Sequence, residues 1–360
     1  MAKFDVKAER VILSRLARQF GGIQPFTVLD TKGGEWQERK RQWVRLGIKS
    51  ELGRGENLVI EDPNLNDVDL YRHRSGAKKA KSLNIGTHPY DSYGCKKRKI
   101  AEEKAKLNGL TFRSTGFCAE VFSDRGGGTS IFDPTLCEIT YHWFCPAGGA
   151  ILDPFAGGSV RGVVAAVKGY RYIGVDLRQE QLDANIGQWK SINERHGPFP
   201  YPPRWVLGDA TELRPKELGV RGVDLVFTCP PYGDLEVYSN DPKDLSTMAP
   251  DEFDEAYATA IRRAYQCLRV GGFACFVVAD YRDKQGFYRC LPELTVQAAL
   301  SAGFKKYNEA ILLNAIGSLP VRTGKQFKAS RKLGKCHQNV LVFFKGTDPK
   351  GAAKRINKGG

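Results

Sequence analysis

The chain of 360 residues carries 41% hydrophobic and 26% charged side chains, enough to build a large core, so a disulfide-stapled miniprotein is excluded. No run of about 18 apolar residues occurs that would cross a bilayer, and Met1 to Phe20 lacks the apolar stretch of a secretion signal, so a cytoplasmic location is expected. Fifty-five Lys and Arg against forty Asp and Glu give +15, of which residues 1–149 hold +7, residues 150–319 hold −2 and residues 320–360 hold +10, a distribution that favours a polyanionic partner for the flanks.

In chain order, Trp36 to Leu46 reads as a basic surface helix with Trp36, Trp43 and Leu46 on one stripe. Residues 72–106 mix Lys, Arg, Gly and Ser with aromatics and read as loop, suited to phosphate and base contact or simply solvated. Arg125 to Gly128 reads as a hinge, so residues 1–129 form a basic N-terminal region and a second domain spans residues 130–347. There, helices are expected at Thr135–Phe144, Ser159–Val167, Gln179–His196, Pro250–Leu268 and Leu291–Ala302. Strands are expected at Ala150–Leu152, Arg171–Val175, Arg204–Leu207, Asp224–Phe227, Phe273–Val278, Glu309–Asn314 and Asn339–Phe344. This alternation predicts an α/β, Rossmann-like, mostly parallel sheet with helices on both faces and ligands at the carboxyl ends of its strands. Residues 348–360 read as a disordered basic tail. Nine cysteines without a CxxC pair, and five histidines away from zinc-ligand spacing, predict reduced thiols and no metal.

Two blocks carry chemistry. Ala150 to Gly162 (AILDPFAGGSVRG) sets Asp153 at a strand tip and Gly157 and Gly158 in the turn into a helix, where glycine permits close backbone approach. Eighteen residues beyond Gly158, Asp176 ends the next strand and suits a ribose diol; Asp209, followed by Ala210, ends the third and suits an adenine amine. Each acid taken singly is as readily a helix N-cap. The spacing departs from the dinucleotide pattern G-x-G-x-x-G, and Asp153 would repel a phosphate but attract an ammonium group, which points to S-adenosylmethionine. In the second block, Asp224 to Tyr232 (DLVFTCPPY) runs a buried strand into Cys229, the rigid pair Pro230 and Pro231, and Tyr232.

Together DPFAGG and CPPY resemble the DNA amino-methyltransferases, which methylate adenine at N6 or cytosine at N4, over about residues 130–345, most closely in their phage-encoded forms. The resemblance implies an S-adenosylmethionine-dependent methyltransferase sheet, double-stranded DNA as partner and a target base flipped out of the duplex. It implies that the helix entry Phe132-Asp133-Pro134-Thr135-Leu136, which looks like the family's, closes over methionine through Asp133 and Thr135, and that Phe155 and Leu177 also bind the cofactor. It implies further that Pro230 and its neighbouring carbonyl orient the amine while Tyr232 stacks on the base. Cys229 stands where the family has Asp, Asn or Ser, and a thiol is a weak acceptor. A rival chemistry, attack of a Cys229 thiolate on a pyrimidine for C5 alkylation, stays open, although the C5 enzymes carry the order Pro-Cys. A non-catalytic nucleic-acid binder and an RNA-directed enzyme also stay open. Asp234 and Glu236 are candidates to lie over the flipped base, and Lys325, Arg331 and Lys332, in a basic loop at residues 317–335, are candidates for phosphate contact. Only 52 residues separate Asp176 from Cys229, too few for a recognition domain. Any sequence reading is therefore expected from residues 1–129 and the basic loops, and a broadly acting phage enzyme that protects its genome from restriction fits.

Overall fold

The computed structural model describes residues 21–48, 132–235, 237–314 and 319–358, in two compact units. The larger unit holds the described residues 21–48, 132–235, 237–314 and 335–358; the smaller holds residues 319–334. The expected hinge at Arg125 to Gly128 and the basic stretch at 72–106 lie outside the described residues.

In the larger unit, β1 (Val28–Asp30) leads into α1 (Gly34–Arg45), and α2 (Pro134–Phe144) opens the expected alternation. There follow β2 (Ala150–Asp153), α3 (Val160–Val167), β3 (Arg171–Asp176), α4 (Gln179–His196), β4 (Arg204–Leu207) and β5 (Val223–Thr228). Next come α5 (Pro250–Cys267), β6 (Leu268–Val278), α6 (Leu291–Ala302) and β7 (Lys305–Leu313), and after the smaller unit's helix α7 (Leu319–Ser330), β8 (His337–Phe344) and α8 (Pro349–Asn357). The sheet order is β1-β7-β8-β6-β5-β2-β3-β4; β8 runs antiparallel to both neighbours and every other pair is parallel. This is the expected Rossmann-like α/β sheet. β2 and β5 at its centre are buried along their whole length, as their apolar stretches Ala150–Leu152 and Leu225–Phe227 require of strands covered on both faces, and the buried Asp224 of β5 is paired with Arg269 and the Ala150 N–H, each at 2.9 Å. One core packs α1 to α4 and α8 against one face, with Trp36, Tyr141, Val164 and Ile192 within it; the other packs α5 and α6, with Tyr257, Ile261 and Ala299. Among the described residues no helix is long and apolar enough to cross a membrane.

Three expectations are corrected. The stretch at 28–45 does not stand apart from the sheet: β1 pairs with β7, and α1 buries Trp36 and Trp43 with their indole N–H groups on Asp133 and Glu138. Apolar area lost from water, with each indole donor satisfied, turns the expected surface helix into part of the core. Residues 349–357 are helical rather than a frayed tail. Asp348 caps the Gly351 N–H, Pro349 starts the helix, Ala352 is buried, and Arg355 donates to the Gly271 carbonyl at 2.8 Å. The basic stretch that reads as a loop at 317–335 contains helix α7, because Lys, Gln and Ala are good helix formers and Pro320 falls in the first turn, where it is tolerated; they outweigh Gly324 in its interior.

Candidate active site

Strand order reverses between β2 and β5, and crevices at such switch points are where open α/β sheets bind ligands. A cavity of about 490 Å³ opens there. Phe155, Gly157 and Gly158 line it after β2, Asp176 and Leu177 after β3, Asp209 and Ala210 after β4, and Cys229, Pro230, Pro231 and Tyr232 after β5; Asp133 lies on its wall. The glycine bend and the proline corner therefore share one space.

Gly157 sits at φ +48 with open space where a side chain would stand, so the bend leaves backbone exposed to a ligand. Its N–H donates to Asp176 at 2.9 Å and its carbonyl accepts from the Asn185 amide at 2.7 Å, which ties the bend to β3 and α4. The other Asp176 oxygen accepts the Arg178 N–H at 3.0 Å. Burial raises the Asp176 carboxyl above its ordinary range, against the pull of the Arg178 and Gly157 donors. Asp209 caps the chain after β4 through the Thr211 N–H and hydroxyl, at 2.7 and 2.8 Å.

Asp153 does not meet the cavity. It is fully buried and accepts from Arg161 Nε, from the Tyr172 hydroxyl at 2.7 Å and from the Thr228 hydroxyl at 2.7 Å. The reason is Arg161, on the first turn of α3, which brings a cation to the strand tip and takes the place expected for an ammonium ligand. Arg161 also donates to the carbonyls of Phe155 and Ala156, at 2.6 and 2.9 Å, and lies 4.5 Å from the centre of the Phe132 ring. Burial opposes its charge, and Asp153, Tyr172 and Cys229 around it more than compensate. Thr135 is likewise fully buried and does not line the cavity, because its N–H serves the Asp133 cap while its hydroxyl points into packed surroundings. Asp133 spends one oxygen on that cap and the other on Trp36 and Lys40, each at 3.1 Å.

At the proline corner the Cys229 sulfur lies 3.8 Å from the Tyr232 hydroxyl, which also accepts from the Gln338 amide at 3.2 Å. Tyr281 stands edge-on to Tyr232, ring centres 6.2 Å apart. Burial pushes the Tyr232 phenol well up, and the neighbouring Cys229 adds to this, so the phenol stays protonated. Gly233 follows at φ +52, and a side chain there would strike the Tyr281 hydroxyl.

The Asp234 side chain and Glu236 lie outside the described residues. Lys325, Arg331 and Lys332 belong to the smaller unit, on or just after α7, with the Arg331 guanidinium 5.2 Å from the Phe327 ring centre. Sequence reasoning missed Thr31, Gln37 and Lys40, which line the cavity from the β1–α1 segment, and Leu312, Asn314 and Gln338, which line it from β7 and β8. Gln37 and Lys40 follow Trp36 by one and four residues, so placing Trp36 in the core would have turned that helix face toward the site.

No protein-family model matches the chain, and no curated protein matches its sequence. Among solved structures it is similar to TrmN from Thermus thermophilus, at 17% identity over 72% of this chain and 69% of that one, with a TM-score of 0.43. It is similar also to a TehB-like SAM-dependent methyltransferase from Corynebacterium glutamicum (15% identity, 72% and 100% covered, TM-score 0.37). A third is the magnesium protoporphyrin IX methyltransferase from Synechocystis, solved with bound SAM (9% identity, 79% and 93% covered, TM-score 0.36). These scores are low, and the fold follows from the strand order itself.

Proposed function

We propose that the protein is an S-adenosylmethionine-dependent methyltransferase acting on an exocyclic amine of a DNA base, adenine N6 or cytosine N4. The observation that carries this is the one cavity that joins the open glycine bend, two strand-end carboxylates and the Cys-Pro-Pro-Tyr corner. Its volume falls in the range of small-molecule and cofactor sites. When bound, the cofactor supplies a methyl group on a positively charged sulfur.

The residues present suit that cofactor. Asp176 takes the ribose diol and Asp209 the adenine amine, while the bend at Gly157 offers backbone with no side chain in the way. With Asp153 held by Arg161, the ammonium and carboxylate of the methionine end fall to Asp133 and Lys40, an acid and a base 3.1 Å apart on the cavity wall. Pro230 and Pro231 have no N–H to offer, so the corner presents acceptors to an amine and holds it by orientation. Tyr232, fixed by Gln338 and Tyr281, gives the base a rigid ring.

Mass spectrometry of nucleosides from DNA incubated with protein and cofactor tests this, with RNA in parallel. N6-methyladenine or N4-methylcytosine in the DNA is the expected product. Methyl groups found only in RNA would refute the DNA assignment, and 5-methylcytosine would move the chemistry to a Cys229 nucleophile.

A further inference from the structure

After β6 the chain forms a tightly bonded hairpin over residues 280–290. The Tyr281 carbonyl accepts from Arg289 N–H at 2.9 Å, Arg282 pairs with Tyr288, and Asp283 N–H donates to the Phe287 carbonyl at 2.9 Å. The Asp283 carboxylate accepts from the N–H groups of Gly286 and Phe287, at 2.7 and 2.8 Å, and Asp280 accepts from that of Cys290 at 2.9 Å. Both acids of the hairpin are thus turned inward onto its own backbone. Of the cations on and beside it, Arg282 donates to the Gly286 carbonyl at 2.8 Å, and Lys335, half-buried, lies 3.4 Å from His337 Nε2 and close enough to Asp280 to act on its carboxyl. Lys284 is exposed at the tip, and the Arg282 guanidinium lies 3.9 Å, the Lys335 ammonium 5.7 Å, from the centre of the Tyr288 ring. Arg289 is close enough to Asp254 to be partly neutralised by it.

On this rigid frame Phe287 is 71% exposed and Tyr288 40%. An aromatic ring held out on a fully bonded loop at the carboxyl edge of the sheet, among cations, has the make-up of a surface that meets stacked bases and phosphates. The hairpin is joined to the site at its root, because Tyr281 is the ring that stands edge-on to Tyr232. Phe287 lies opposite Asp283, two residues beyond Tyr281, so it stands roughly 7 Å along the strand from that root, about two base-pair steps.

We propose that the hairpin at 280–290 docks on duplex DNA, with Phe287 entering the base stack beside the flipped nucleotide and Lys284 and Lys335 on flanking phosphates. This rests on the base-methylating function proposed above. A wedge fills the gap that an extruded base leaves, which offsets part of the unstacking cost; positive charge over the backbone is paid back by counterion release.

The test uses the full chain with a DNA duplex carrying 2-aminopurine at the target position, read by fluorescence and by anisotropy across a salt series, with methyl transfer to the same duplex measured separately. Phe287→Ala is expected to weaken extrusion, seen as 2-aminopurine brightening, by about ten- to hundredfold, with cofactor affinity unchanged. Lys284→Ala with Lys335→Ala is expected to lower duplex affinity and to reduce the slope of log K against log salt by about 1 per lysine. Unchanged brightening in the first variant, an unchanged slope in the second, or hairpin-dependent binding of duplex RNA in preference to DNA would overturn the proposal. Normal methyl transfer by both variants removes the docking hairpin and leaves the activity standing. Hairpin-dependent binding and brightening without any methyl transfer by the wild type removes the activity and leaves the hairpin.

Discussion

Replacing Arg161 by Met removes the cation from a carboxylate that has no water to fall back on. Asp153 is fully buried and Arg161 is 6% exposed, and the guanidinium also serves the Phe155 and Ala156 carbonyls. Removing one partner of a buried ion pair costs about 3–5 kcal/mol, and each carbonyl left a donor short adds about 1 kcal/mol, partly offset by the apolar Met stem. The expected loss is therefore about 3–5 kcal/mol, a large part of the stability of an ordinary domain. Adding Asp153→Asn removes the uncompensated charge while keeping an oxygen for one of the Tyr172 and Thr228 hydroxyls, which bond to different Asp153 oxygens, and offering the other hydroxyl an amide N–H to accept, so the double variant should recover about 2 kcal/mol or more. Urea unfolding followed by tryptophan fluorescence measures both. Cofactor calorimetry on the same proteins should show weakened binding in both, because the bend loses its tie at Phe155 and Ala156 either way. A loss below about 1 kcal/mol for Arg161→Met, or a double variant less stable than the single one, would refute the account of Arg161 as the counter-charge of Asp153.

Cys229→Ser should retain or raise amine methylation, since a hydroxyl accepts a hydrogen bond better than a thiol; complete inactivation in a nucleoside assay would favour covalent C5 chemistry. Asp176→Ala should cost about 1–3 kcal/mol of cofactor binding, and unchanged affinity by calorimetry would remove the ribose site. Because burial raises the Asp176 carboxyl, cofactor affinity should fall on acidification at a pH above the ordinary Asp value of about 3.9. The same group should stabilise the unliganded fold below that value and lose its contribution as pH rises through the raised one; affinity flat down to pH 4 would count against both. Tyr232→Ala should reduce turnover far more than duplex affinity, and equal losses would deny it the flipped base.

The order of elements from Thr135 to Phe344 could be read from the sequence because each central strand carries a short apolar run closed by Asp or, after β5, by the Cys-Pro-Pro turn, and the helix at Leu291–Ala302 appears with the expected bounds. The site's main walls could be read for the same reason: ligand-facing residues follow strand ends. Asp153 misled because a strand-tip acid looks alike whether it faces a ligand or an arginine, and Arg161 lies eight residues on, at a helix start whose direction only the fold sets. The β1–α1 wall was hidden because a three-residue strand and a helix rich in Arg and Lys carry little apolar signal beyond Trp36 and Trp43. The helix at 349–357 was hidden by Lys and Gly, though Asp348-Pro349 is a helix-start signal.

β1 covers only Ile311, Leu312 and Leu313 of the nine-residue β7, the apolar end; the remainder carries Lys305, Lys306, Asn308 and Glu309. An uncovered strand rim invites pairing with another molecule, and charged side chains are a common deterrent. Among the described residues the protein thus guards one border in two ways, by polar residues where no strand pairs with the rim and by a borrowed strand where it is greasy. A shortened version lacking Val28 to Asp30 would present Ile311 to Leu313 as a sticky ledge, and self-association in solution, rather than unfolding, is the first fault to look for in it.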